Sequence, residues 1–144
     1  MGGSWGPGVA ALPFGAGFHP YFRVKESDKR VARIATGATS AFGNVSKATG
    51  PLAIDLGAPE CDLHLLDHGA APCTVEHPGG AVTVSGSPEF THWVIWTVAG
   101  KDFVCVEPWT CPGNALNTGE RLLELPPGGT RALWVEYRVE PRRS

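Results

Sequence analysis

Two residues in this sequence, His19 and Glu107, are of types that could pass a proton to or from a substrate, and both occur in the same setting. Each ionisable side chain has aromatic neighbours and is followed at once by proline. A proline biases the residue before it to extended backbone, which fixes the direction in which that side chain leaves the chain. Alternation along residues 103–107 puts Phe103, Cys105 and Glu107 on one face, so a carboxylate closes a face that is otherwise apolar. An acid so placed either caps a ladder or pairs with an arginine, or it has chemistry to do. His19 lies in GFHPYF, flanked by Phe18, Tyr21 and Phe22, and Gly15 and Gly17 before it allow close backbone approach or a bulge at a strand end. Alone it reads as a histidine packed among aromatics. With Glu107 it makes one base and one acid, the minimum for general acid–base catalysis.

Both residues need elements to hold them. Residues 101–119, KDFVCVEPWTCPGNALNTG, read as a strand that delivers Glu107 and stops at Pro108, then a loop folding over the strand end as a pocket wall, with Trp109 and the turn-forming Pro112, Gly113 and Asn114 in it. The 144 residues fit one domain, 1–144, with residues 1–8 and 140–144 as flexible ends. A hydrophobic content of 42%, with 19 Gly and 13 Pro, favours short strands and tight turns over a helix bundle, so the class is all-β. Strands are expected at 9–14, 31–36, 121–125 and 131–139, with Leu52, Ile54 and Leu56 on a further half-buried strand and 36–50 as a polar connection. Residues 73–77 and 81–85, joined by HPGG, read as a hairpin. The nearly continuous apolar run HWVIWTV, 92–98, implies a strand covered on both faces and hence an antiparallel β-sandwich. ECDLHLLDH, 60–68, is dense in ionisable groups and is expected to border the site.

Composition removes several partners. A net charge of −2 with dispersed Lys and Arg argues against nucleic acid or an anionic membrane surface. No apolar segment approaches the roughly 20 residues that span a bilayer, and the amino terminus lacks a basic region followed by an apolar core, so the expected location is cytoplasmic. Cys61, Cys73, Cys105 and Cys111 lack CxxC spacing and read as reduced thiols, and the Pro and Gly around His64 and His68 disfavour the helix a two-histidine metal clip would need. No metal or other cofactor is expected, and the partner is expected to be uncharged or small.

GFHPYF and VCVEPWTCPGNALNTG, followed by LLELPPGGT and a long last strand, resemble the carboxy-terminal half of the aldose 1-epimerase (galactose mutarotase) family from about residue 13 to 139. The resemblance implies part of an antiparallel β-supersandwich, a sugar as substrate, His19 as general acid and Glu107 as general base of ring opening. It also implies a sugar-binding aspartate, matched best by Asp62, without the family's aromatic three residues on, and second by Asp67. Trp109 is a candidate to stack on the pyranose, and Tyr21 and Asn114 are further candidate sugar contacts. Family members are longer, and the segment preceding residue 13 in them, with a further substrate-binding histidine, has no counterpart here. The chain is therefore expected either to pair with a second copy as a homo-oligomer or to hold an incomplete site of weak or no activity. Two other readings stand beside this one: a non-catalytic carbohydrate-binding β-sandwich, and a hexose-6-phosphate 1-epimerase in which Arg23 and Lys25 would meet the phosphate.

Overall fold

The computed structural model describes residues 8–142, so the expectation of a free amino-terminal end falls almost wholly outside the described residues. The strands are β1 (Leu12–Phe14), β2 (Tyr21–Phe22), β3 (Arg33–Ala35), β4 (Ser40–Gly43), β5 (Ala48–Pro51), β6 (Glu60–Leu65), β7 (Cys73–His77), β8 (Gly80–Gly86), β9 (His92–Val98), β10 (Val104–Trp109), β11 (Leu123–Leu125) and β12 (Val135–Pro141). A short helix, α1 (Ala115–Thr118), lies between β10 and β11, and a 3-10 turn, Glu26–Asp28, between β2 and β3. The class is all-β, and every pairing is antiparallel.

A six-stranded sheet in the order β2-β10-β9-β6-β4-β5 packs on a four-stranded sheet in the order β12-β8-β7-β3, and β1 pairs with β11 in a small third sheet. Alternation decides what faces what. Leu65, Trp93, Ile95, Val104 and Val106 of the larger sheet meet Cys73, Val75, Val82 and Val84 of the smaller one in a single apolar cluster. Each Leu, Ile and Val among them contributes roughly 1.5–3 kcal/mol by leaving water. The residues between them, Asp62, His64, His92, Val94, Cys105 and Glu107, therefore point to the other face.

β9 runs from His92 to Val98 as its sequence reads, and His92, Trp93, Val94 and Ile95 are all buried, so both faces are covered there. The HPGG hairpin is also present. Gly80 has φ +139°, and a Cβ on it would strike the Glu140 carbonyl of the neighbouring β12, so close approach of two strands requires glycine here.

Four expectations are corrected. The stretch 36–50 is not a connection, because it carries most of the β4–β5 hairpin, with Lys47 at φ 57° in the turn. Its small residues Ala41 and Gly43 carry little strand signal, yet Ala41 and Gly43 lie opposite Leu65 and Leu63 of β6, which supplies the ladder. Leu52, Ile54 and Leu56 form no strand; Leu56 is buried and the other two lean on the core from an irregular segment. Their alternation reports which side faces inward, not that a neighbour is available to pair. β10 does not stop at Pro108 but continues to Trp109. The Pro108 carbonyl accepts from Phe18 N at 3.1 Å; in an antiparallel strand a residue's N–H leaves on the same side as its carbonyl, so the missing donor faces the Phe18 segment and the ladder to β9 loses nothing. Finally, β12 lies later than the stretch 131–139 and extends through Pro141 into the range read as a flexible end.

Candidate active site

β10, β9 and β6 set three residues in register across the larger sheet: Glu107 opposite Val94, and Val94 opposite His64. One row along, Cys105 lies opposite Trp96, and Trp96 opposite Asp62. Period-two geometry thus gathers two acids, a histidine and an indole on one face from three separate strands.

His19 reaches this face because the segment before it is stitched to the end of β10. Thr110 N donates to the Ala16 carbonyl at 2.8 Å, and Thr110 Oγ1 accepts from Ala16 N at 2.9 Å. Gly17 bridges to Trp109, and a Cβ on Gly17 would sit 2.9 Å from Trp109 Cδ1; the glycine is what lets the two chains lie so close. After Pro20 the chain enters β2, where Tyr21 pairs with Cys105. His19 is thereby held with Nε2 3.3 Å from Glu107 Oε1. Its ring stacks on Tyr21 at 4.9 Å and meets Trp96 edge-on at 5.5 Å.

Glu107 is 2% exposed. Its second oxygen, Oε2, accepts from Trp109 Nε1 at 3.2 Å. Burial pushes its carboxyl up to about 7, with the Trp109 hydrogen bond opposing and the Asp62 charge adding to the rise. A carboxylate poised near neutral pH can both take and return a proton. His19 is half exposed at the cleft mouth while Glu107 lies at its floor.

The cleft encloses about 410 Å³ and is bordered by His19, Asn44, Asp62, His64, Glu107 and Trp109, among others. That is a volume typical of small-ligand sites, roughly 300–1,000 Å³. Asp62 Oδ2 accepts from Asn44 Nδ2 at 2.8 Å, leaving Oδ1 beside His64 Nε2 at 3.7 Å. Asp67, the second aspartate considered, is used elsewhere: its carboxylate accepts from Thr39 and Ser40 at the start of β4, which holds it down to about 2.

The remaining candidates fall in four places. Trp109 borders the cleft, where it clamps Glu107 and stacks on His92 with ring centroids 5.6 Å apart. Tyr21 stands behind His19, 58% exposed, and does not border the cleft. Asn114, at φ 63° before α1, lines an adjoining cavity of about 590 Å³ that His19 and Trp109 separate from the first. Arg23 and Lys25 border a different hollow with Asp28 and His77. Asn44, His64, His92, Trp96 and Arg121 are the site residues that reading the sequence did not single out. The signal for three of them was present, since Asp62 and His64 alternate in ECDLHL, as do His92, Val94 and Trp96 in HWVIW.

Among the described residues, His19, Cys105 and Glu107 form a group whose ligand atoms lie within 4.8 Å of one another. Burial, with Glu107 adding, pushes the Cys105 thiol up to about 12, so at neutral pH it sits in the group as a neutral thiol and a poor ligand. His68, the other histidine of the disfavoured two-histidine clip, is buried apart from the cleft against Thr36 and the Ala71 carbonyl. No helix of the described residues is long and apolar enough to cross a membrane.

The architecture is shared with solved structures of the mutarotase-like class. The chain is 34% identical to the Slr1438 protein of Synechocystis sp. PCC 6803, with a TM-score of 0.87 over 94% of this chain and 47% of that one. It superposes on a candidate aldose 1-epimerase of Escherichia coli K12 with a TM-score of 0.70 at 20% identity, covering 94% of this chain and 53% of the other. A galactose mutarotase-like protein of Clostridium acetobutylicum gives 0.66 at 14% identity, over 93% and 49%. No protein-family model and no curated protein matches the chain. The resemblance to the aldose 1-epimerase (galactose mutarotase) family is thus carried by the fold across nearly the whole chain, and the chain spans about half the length of the structures it matches.

Proposed function

We propose that the cleft interconverts the α and β anomers of an aldohexose by acid–base ring opening. The observation that supports this most is the contact between His19 and Glu107, 3.3 Å apart, with Glu107 buried and titrating near neutrality. Glu107 as carboxylate takes the proton of the anomeric hydroxyl; the C1–O1 bond becomes a carbonyl as the C1–O5 bond breaks, and protonated His19 gives its proton to O5. Rotation about C1–C2 presents the other carbonyl face, and the same transfers in reverse close the ring as the other anomer. Protons, bonds and electrons balance over the cycle. Asp62, with an oxygen free beside His64, accepts from a sugar hydroxyl and orients the ring.

The hexose-6-phosphate reading draws no support from Arg23 and Lys25, which do not border the cleft. The test is polarimetry of freshly dissolved α-glucose, α-galactose and α-glucose 6-phosphate. The proposal expects the neutral sugars to reach their anomeric equilibrium faster with protein than in buffer. Binding of a sugar, seen by NMR, without any change in that rate would replace catalysis with the carbohydrate-binding reading.

A further inference from the structure

The sheet face that bears Glu107 also carries a chain of nitrogen atoms that the proton transfers do not use. Arg121 Nη2 lies 3.1 Å from His92 Nδ1, and His92 Nε2 lies 2.8 Å from His64 Nδ1. The guanidinium is held from behind, because its Nη1 donates to the Thr91 carbonyl and hydroxyl at 3.2 and 3.3 Å. A guanidinium only donates. The nitrogen facing it must therefore hold a lone pair, so His92 carries its hydrogen on Nε2. That hydrogen points at His64 Nδ1, which must accept it, so the hydrogen of His64 sits on Nε2. His64 Nε2 is the nitrogen 3.7 Å from Asp62 Oδ1 in the cleft.

We propose that Arg121 is a positioning residue: acting through His92, it locks His64 in the tautomer that turns Nε2–H into the cleft, so that His64 and Asp62 together present one donor beside one acceptor. A single sugar hydroxyl satisfies both, accepting from His64 while donating to Asp62. The opposite tautomer would put a lone pair beside the carboxylate and leave two acceptors with nothing to hold them together. The lock also keeps His64 neutral, since a second hydrogen on Nδ1 would confront the one on His92 Nε2. Burial depresses both imidazoles, His92 to about 4 with the His64 and Arg121 charges adding, and His64 with Lys47 adding and Asp62 opposing. The sugar clause rests on the proposed function; the tautomer clause does not.

The experiment is long-range 1H–15N correlation NMR of the imidazoles in sugar-free protein, with His64→Gln and His92→Gln used to assign the signals. Wild type and Arg121→Lys, both donors at that position, should show Nε2–H on His64 and His92. Arg121→Glu places an acceptor there and should invert both rings to Nδ1–H. Arg121→Leu, neither donor nor acceptor, should release them to a mixture. D-Glucose should then bind Arg121→Glu roughly tenfold more weakly than Arg121→Lys, the loss expected when the hydrogen bond from neutral His64 to the sugar hydroxyl is given up and the Asp62 bond is kept. Nδ1–H on His64 in the wild type, an unchanged single tautomer in Arg121→Leu, or equal glucose affinities would overturn the proposal. Tautomers as expected without any anomer turnover would count against the catalytic reading alone.

Discussion

Glu107 is where burial and chemistry meet. Its folded carboxyl lies at about 7 against an ordinary 4.5, so the folded state holds that proton more tightly than the unfolded chain does. Folding stability from this group is full below about pH 4.5 and is lost as pH rises through 7, where a charge must be kept out of water. Glu107→Gln keeps the shape and removes the charge. It should be more stable than wild type by roughly 1–3 kcal/mol at pH 8 and equal to it near pH 4, which urea denaturation at the two pH values would measure. The same variant should lose about 10²- to 10⁴-fold in anomerisation rate, and His19→Asn should lose similarly. Trp109→Phe removes the one hydrogen bond that lowers the Glu107 carboxyl. The limb of the pH–rate profile that reports the base should then move to higher pH; a limb that stayed in place would separate Trp109 from the base.

At the scale of elements, the larger sheet does most of the positioning. Glu107, His64 and Asp62 meet because β10, β9 and β6 are in register, and His19 joins them because Gly17 lets its segment lie on Trp109. Gly17→Val would push a branched side chain into that indole. We expect at least a tenfold fall in kcat/KM with a loss of roughly 1–3 kcal/mol in stability, read by polarimetry and thermal melting. His19 and Glu107 were legible in the sequence because each is an ionisable residue followed at once by proline with an aromatic residue close by, a local pattern. β9 and the HPGG hairpin were legible for the same reason. The face His92 shares with Val94 and Trp96 was legible too, but the link between His92 and Arg121 was not, because it is set by cross-strand register and a contact 29 residues apart in sequence. The β4–β5 hairpin escaped because Ala and Gly acquire strand character from their neighbour β6 rather than from their own side chains.

For the whole molecule, the four-stranded sheet ends in β12, and the apolar Trp134, Tyr137 and Val139 on or beside that strand are exposed. An edge of this kind is a template for another chain. The chain alone should therefore run above monomer mass in size-exclusion chromatography with light scattering, and Val139→Lys, a charge on the edge, should shift it toward the monomer. A wild-type monomer at all concentrations would show that the edge is tolerated as it stands.

Whether His19 and Glu107 move the two protons of ring opening is read most simply by polarimetry of fresh α-D-glucose with wild type and Glu107→Gln at equal concentration. Wild type should hasten the approach to anomeric equilibrium, and the folded Glu107→Gln variant should fall back to the buffer rate, however modest the wild-type rate. Equal rates for the two proteins would contradict this role for the pair.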